Sequence, residues 1–160
     1  SGYSFKNIVF TLVERGGSAR SFHVEGTTIG QLVPIVRTNV SRESAFMTDE
    51  AVWYTSLGKE FASHGVVTHT AKEYARGEIT TNTVEGYFSI FKRGIYGVYH
   101  HVSEQHLKRY LCEFDCRYNE RIALGVGDDE RMTKALSGIV GKRLTYRRTR
   151  GTEAEKAAPF

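Results

Sequence analysis

The sequence predicts an α/β domain, a mixed sheet flanked by helices. Three observations carry that prediction. A nearly all-apolar, β-rich run, Asn7 to Glu14, meets the turn signal Arg15-Gly16-Gly17-Ser18 and returns as Ala19 to Val24, which is the pattern of a hairpin. Later stretches carry apolar residues at helical spacing. Short β-like segments stand between the first of those stretches, so the order is hairpin, helix, strand, helix, strand, then helices.

The first strand is apolar on both faces, as a strand buried on both sides must be. Thr27 or Thr28 can cap a helix that runs to about Val40, with Ile29, Leu32, Val33 and Val36 on one face and a kink expected at Pro34. Ser44 to Thr48 reads as a short strand leading into Asp49. Ala51 to Phe61 reads as a helix with Val52, Leu57 and Phe61 inward. Gly65 to His69 is a further strand, and Ala71 to Thr80 a polar loop. A long helical region starts near Asn82, with Val84, Tyr87, Phe88, Phe91 and Ile95 as its core face and a break expected near Gly94 and Gly97. Ser103 can cap a helix to Arg121 whose apolar stripe is Leu107, Tyr110, Leu111 and Phe114. Asp128 caps a last helix to about Ile139, which Gly141 ends. The tail from Arg150 is polar and expected to be disordered.

The chain has 160 residues, enough for one real core, and no apolar run approaches the roughly 18 residues of a membrane span. No signal peptide opens it, so a cytoplasmic protein is expected. Its net charge of +4 and pI of about 9.1 mildly favour an anionic partner. The basic residues crowd the last quarter, from Arg131 to Arg150. Cys112 and Cys116 share a helix face but lack nearby zinc ligands, so they read as reduced packing cysteines. The histidines fit no zinc spacing, and no nucleophile motif is present.

The candidate chemistry lies in two segments. Asp49 closes a strand, where α/β sheets gather their ligands. It also reads as a helix cap. In the run T-N-T-V-E-G-Y-F-S-I-F-K-R (81–93), Asn82, Glu85, Ser89 and Lys92 fall on one helical stripe beside the apolar face. A carboxylate and an amide near the helix start could reach a magnesium ion held by Asp49, and Lys92 and Arg93 could meet phosphates. The alternative is an ordinary solvated polar face.

The stretches V-E-R-G-G (13–17), T-D-E (48–50), H-T-A-K-E-Y (69–74), T-N-T-V-E-G-Y-F-S-I-F-K-R-G (81–94), Y-H-H-V-S-E-Q-H-L-K-R-Y-L-C-E-F (99–114), R-Y-N-E-R (117–121) and G-K-R-L-T-Y-R (141–147) occur in this order. Together they resemble the catalytic domain of bacterial insertion-sequence transposases of the ISXO-like group, relatives of the eukaryotic Merlin elements. The resemblance covers roughly residues 5–148. It implies a ribonuclease-H-like fold over 1–148, a tail at 149–160, and a three-acid site for two magnesium or manganese ions. Asp49 maps to the second acid, and Asn82 or Glu85 to the third. Glu85 is favoured on charge. Lys92 maps to the basic residue that follows the third acid. Double-stranded DNA is the implied partner, at the bacterial nucleoid, with homo-oligomers formed on it. The expected DNA-binding surface comprises Lys92, Arg93, His100, Lys108, Arg109, Lys142, Arg143 and Arg147.

The chain departs from the pattern at Thr80, where a His is usual, and at Phe88, where a Trp is usual. The first catalytic Asp belongs on a strand upstream of V-E-R-G-G. The fold is therefore expected to lack its first strand here. Two other readings follow: an inactive remnant that at most binds nucleic acid, and a nuclease of the same fold with no role in transposition.

Overall fold

A computed structural model describes residues 7–68, 75–76 and 79–142, which form two compact units dividing between Gly125 and Val126. In the first unit, strands β1 (Ile8–Val13) and β2 (Ala19–Val24) form the expected antiparallel hairpin, with Ile8 opposite Val24 and Val13 opposite Ala19. Gly16 sits in the turn at φ 69°, a left-handed conformation that glycine adopts without steric cost. Strand β1 is apolar except at Thr11 because its two faces feed two cores. Val9 and Val13 pack on Ala19, Tyr87, Phe91, Leu107 and Leu111. Phe10 and Leu12 pack on Val33, Val36, Phe46, Leu57 and Phe61. The alternation is the period-two geometry of a strand. On the first face Thr11 meets Ser21 through hydroxyls 3.0 Å apart.

Helix α1 (Ile29–Asn39) buries Leu32, Val33 and Val36 and continues through Pro34. Ile29, expected on the inward face, is 59% exposed in the first turn. Glu60 accepts from Arg37 and Arg42, tying the end of α1 to the turn that follows helix α2 (Trp53–Gly58). The Arg37 hydrogen bond is the main cause that holds the Glu60 carboxyl below its ordinary range. Helix α2 is shorter than expected at both ends. Val52 is 87% exposed because it precedes the helix, whereas Leu57 and Phe61 are buried as expected.

Strand β3 (Ala45–Thr48) pairs in parallel with β4 (Ser63–Val66), which starts two residues before its expected position. The segment read as a polar loop contains a small antiparallel pair, β5 (Ala75–Arg76) and β6 (Ile79–Thr80), and β6 lies beside β3 and β4. His69 and residues 70–74 lie outside the described residues. The expected mixed sheet is thus three two-stranded pieces among the described residues, with parallel and antiparallel pairing both present.

Helix α3 (Asn82–Gly94) does not break at Gly94 or Gly97. It passes into a π-helical turn, Ile95–Tyr99, which ends at His100 with φ 58°. Gly94 serves packing instead: a Cβ there would overlap the Phe114 ring. Phe114 in turn meets Phe91 edge-on, with centroids 5.1 Å apart. Helix α4 (Glu104–Asn119) starts after Ser103 as expected and ends two residues short of Arg121. Its cysteines are exposed rather than packed, so the expectation of packing thiols is corrected. The second unit contains helix α5 (Asp128–Ser137), whose N-cap is Gly127 rather than Asp128. Residues 143–160, including the expected tail, lie outside the described residues.

The outward edge of β2 is covered by side chains of α4. In an antiparallel strand alternate N–H groups face away from the partner, and here they belong to Ala19 and Ser21. Ala19 N–H donates to Asn119 Oδ1 at 2.6 Å, and Asn119 Nδ2 donates back to the Ala19 carbonyl at 3.0 Å. Ser21 N–H donates to Asp115 Oδ2 at 2.7 Å, while the Ser21 and Tyr87 hydroxyls both reach Oδ1. Burial, and next the Asp115 hydrogen bond, raise the Tyr87 phenol above its ordinary value. Arg121 donates to the Gly17 carbonyl in the hairpin turn. Removing the carboxylate by Asp115→Ala would strand one backbone and two hydroxyl donors, and we expect a loss of about 3 kcal/mol in urea unfolding. A change below about 0.5 kcal/mol, the level of an ordinary surface substitution, would show that water replaces the carboxylate.

Candidate functional site

Asp49 follows the last residue of β3, and its Oδ1 accepts the Ala51 N–H at 3.2 Å, forming a local turn. It does not cap α2, whose N-cap is Val52. Thr48, buried at 5% exposure, fixes the chain just before it. Its hydroxyl donates to the Asp49 carbonyl at 3.0 Å and lies 2.8 Å from His64 Nε2. Burial lowers the His64 pKa, and the ring stacks on Phe46 at 5.7 Å. Tyr54 is pushed up to about 12, first by burial and then by the charge of Asp49.

Glu85 stands in the first turn of α3. Its Oε1 accepts from the Thr81 hydroxyl at 2.7 Å, and its N–H bonds the Thr81 carbonyl at 3.1 Å. Thr81 is buried at 8% exposure, so one carboxylate oxygen is tied to a fixed point at the helix start. The i, i+4 spacing of Thr81 and Glu85 is the signal in the sequence that could have found this contact.

Asp49 and Glu85 line one cleft of about 1070 Å³, together with Tyr54, Thr81 and the length of β1 and β3. Asn82 is exposed and not part of the cleft lining. The cleft runs between two strands whose ladders stop there: among the described residues β1 pairs only with β2, and β3 only with β4.

The family model described as the ISXO2-like transposase domain matches residues 1–119. The chain belongs to that family. It is an insertion-sequence transposase of the DDE superfamily, the family that the order of motifs resembled. The matched span holds Asp49, α3 and all of α4, and it ends before α5 and the G-K-R-L-T-Y-R stretch. No curated protein and no solved structure matches the chain.

In the transposase domain a divalent metal is implied by the family. The donors that line the cleft suit a hard cation, since the Glu14, Asp49 and Glu85 carboxylates present oxygen atoms. They do not converge: among the described residues no group of three or more acidic, histidine or cysteine side chains comes together. Lys92 and Arg93 lie in the last turn of α3, exposed and outside the cleft lining. His100, Lys108 and Arg109 are exposed in the first unit, and Lys142 is exposed in the second. Arg143 and Arg147 lie outside the described residues. No helix is long and apolar enough to cross a membrane among the described residues.

His64 makes the strand end sensitive to acid. Burial favours its neutral form, so the unfolded chain binds that proton more readily than the folded one. The stability that depends on neutral His64 is fully present above the ordinary value of 6.5 and is lost as pH falls through the lowered folded value. Urea midpoints should drop on acidification below about pH 6.5, and His64→Gln should flatten that slope. An unchanged slope in His64→Gln would assign the acid sensitivity to other groups.

Proposed function

We propose that this domain is the catalytic domain of a DDE transposase with a ribonuclease-H-like fold, which cuts and joins the DNA of an insertion sequence. The cleft between β1 and β3 carries this reading. A strand placed there would continue both ladders, antiparallel to β1 and parallel to β3, and make one mixed sheet. The motif order puts the strand with the first catalytic Asp directly upstream of the hairpin. Its carboxylate would join Asp49 and Glu85, which line the same cleft.

In this reading Asp49 and Glu85 hold magnesium or manganese, which when bound would supply Lewis-acid stabilisation at the scissile phosphate. Glu85 is the third ligand rather than Asn82, because it lines the cleft and carries the charge. Thr81 holds one Glu85 oxygen at the start of α3, which limits the rotamers the carboxylate can take. Lys92 and Arg93 continue the same helix and contact phosphates, as do Lys108, Arg109 and His100; the basic residues Lys142, Arg143 and Arg147 bind DNA as well. Such contacts give salt-dependent affinity with little sequence preference. The protein would act on paired transposon ends at the nucleoid, as a homo-oligomer.

The deciding experiment is strand transfer by the full-length protein. Asp49→Ala and Glu85→Gln should each abolish it, while duplex binding persists and Asn82→Ala retains activity. Normal transposition by Asp49→Ala would end the assignment. Loss of activity in Asn82→Ala with activity kept in Glu85→Gln would move the third ligand to Asn82.

A second reading is a remnant that only binds nucleic acid. Magnesium-dependent nicking by the chain of residues 1–160 alone would exclude it.

A further inference from the structure

Beyond the polar stripe of Asn82, Glu85, Ser89 and Lys92 on α3, the π-helical turn Ile95–Tyr99 carries Tyr96. Tyr96 is 71% exposed. Every other tyrosine among the described residues is buried or half-buried: Tyr87, for example, is tied to Asp115, and Tyr99 stacks on Tyr110 and donates to Glu113. Tyr96 makes no ring contact and no side-chain hydrogen bond among the described residues, so nothing in the fold accounts for an aromatic there.

Its setting is cationic. Lys92 and Arg93, both exposed, lie in the last turn of α3, four and three residues before Tyr96. Neither Lys92 nor Arg93 makes an ion pair among the described residues. Between Gly86 and Cys112 the only acidic residue is Glu104, against Lys92, Arg93, Lys108, Arg109 and three histidines. An exposed, unengaged ring beside unpaired cations suits a ligand that alternates a negative backbone with flat, apolar faces.

We propose that Tyr96 stacks on a base that has left the helical stack of the bound DNA, with Lys92 and Arg93 on the adjoining phosphates. This rests on the reading of the domain as a DNA-processing enzyme. Tyr96 stands eleven residues after Glu85 (96 − 85), a span of at most roughly 16 Å at about 1.5 Å per helical residue. That span equals about five nucleotides at about 3.4 Å each, so the stacked base lies close to the reacting phosphate but not at it. A base out of the stack costs the duplex free energy, and an aromatic platform offsets part of that cost.

The test compares a fluorescein-labelled duplex with the same duplex carrying a small mismatched bubble, using full-length protein without divalent metal. Wild type should bind the bubble about tenfold more tightly. Tyr96→Ala should erase that preference, keep wild-type affinity for the intact duplex and keep its salt slope. Tyr96→Phe should retain the preference, since stacking needs the ring and not the hydroxyl. Wild type without a bubble preference, or Tyr96→Ala with the full preference, would overturn the proposal. These outcomes are read from binding alone. Normal strand transfer by Asp49→Ala would therefore remove the catalytic reading without touching this result, and an absence of duplex binding by wild type would remove both.

Discussion

The fold depends on the seal that α4 places on the outer edge of β2. Asp115 and Asn119, one helical turn apart, meet the N–H groups of Ser21 and Ala19, two residues apart on the strand. The match is geometric: one helical turn rises about 5.4 Å, and two residues of strand span about 6.6 Å. An exposed strand edge invites pairing with another chain, and side chains that occupy its donors close it without adding a strand. The same carboxylate accepts from Tyr87 on α3, so one residue ties the hairpin, α3 and α4 together.

That tie sets the candidate site. Helix α3 is held from below by Tyr87 and Phe91 in the core that it shares with β1, β2 and α4, and Gly94 lets Phe114 pack directly against its backbone. Its first turn, with Thr81 and Glu85, then has one position relative to β1. Asp49 is set from the other side of the sheet, by the cluster of Val36, Phe46, Leu57 and Phe61 and by the Thr48–His64 contact. Strand β1 contributes to both cores through alternate residues, so it is the common reference for the two carboxylates. The cleft that they line has β1 on one wall and β3 on the other.

Several features were legible because they are local. The hairpin, α1, β3, and the start of α3 and α4 follow from turn residues, apolar period and capping types that act within a few positions. The Asn82–Glu85–Ser89–Lys92 stripe follows from helical geometry alone, and the order of motifs pointed to the transposase family that the profile match bears out. Misreadings fell where a distant partner decides. Gly94 looked like a helix breaker because its Phe114 partner lies twenty residues away (114 − 94). Val52 looked apolar and inward, but the turn made by Asp49 and Ala51 delays the helix past it.

The sequence by itself determined the family, the two-faced burial of β1 and the spacing that puts Asn82, Glu85, Ser89 and Lys92 on one stripe. These are properties of residue type and period. The tertiary structure alone decided that Glu85 and not Asn82 lines the cleft with Asp49, and that R-Y-N-E-R is a clamp on the hairpin through Asn119 and Arg121. Both depend on which strand edge a helix meets and at what angle. That choice comes from the packing of two cores against one strand, and no run of adjacent residues encodes it.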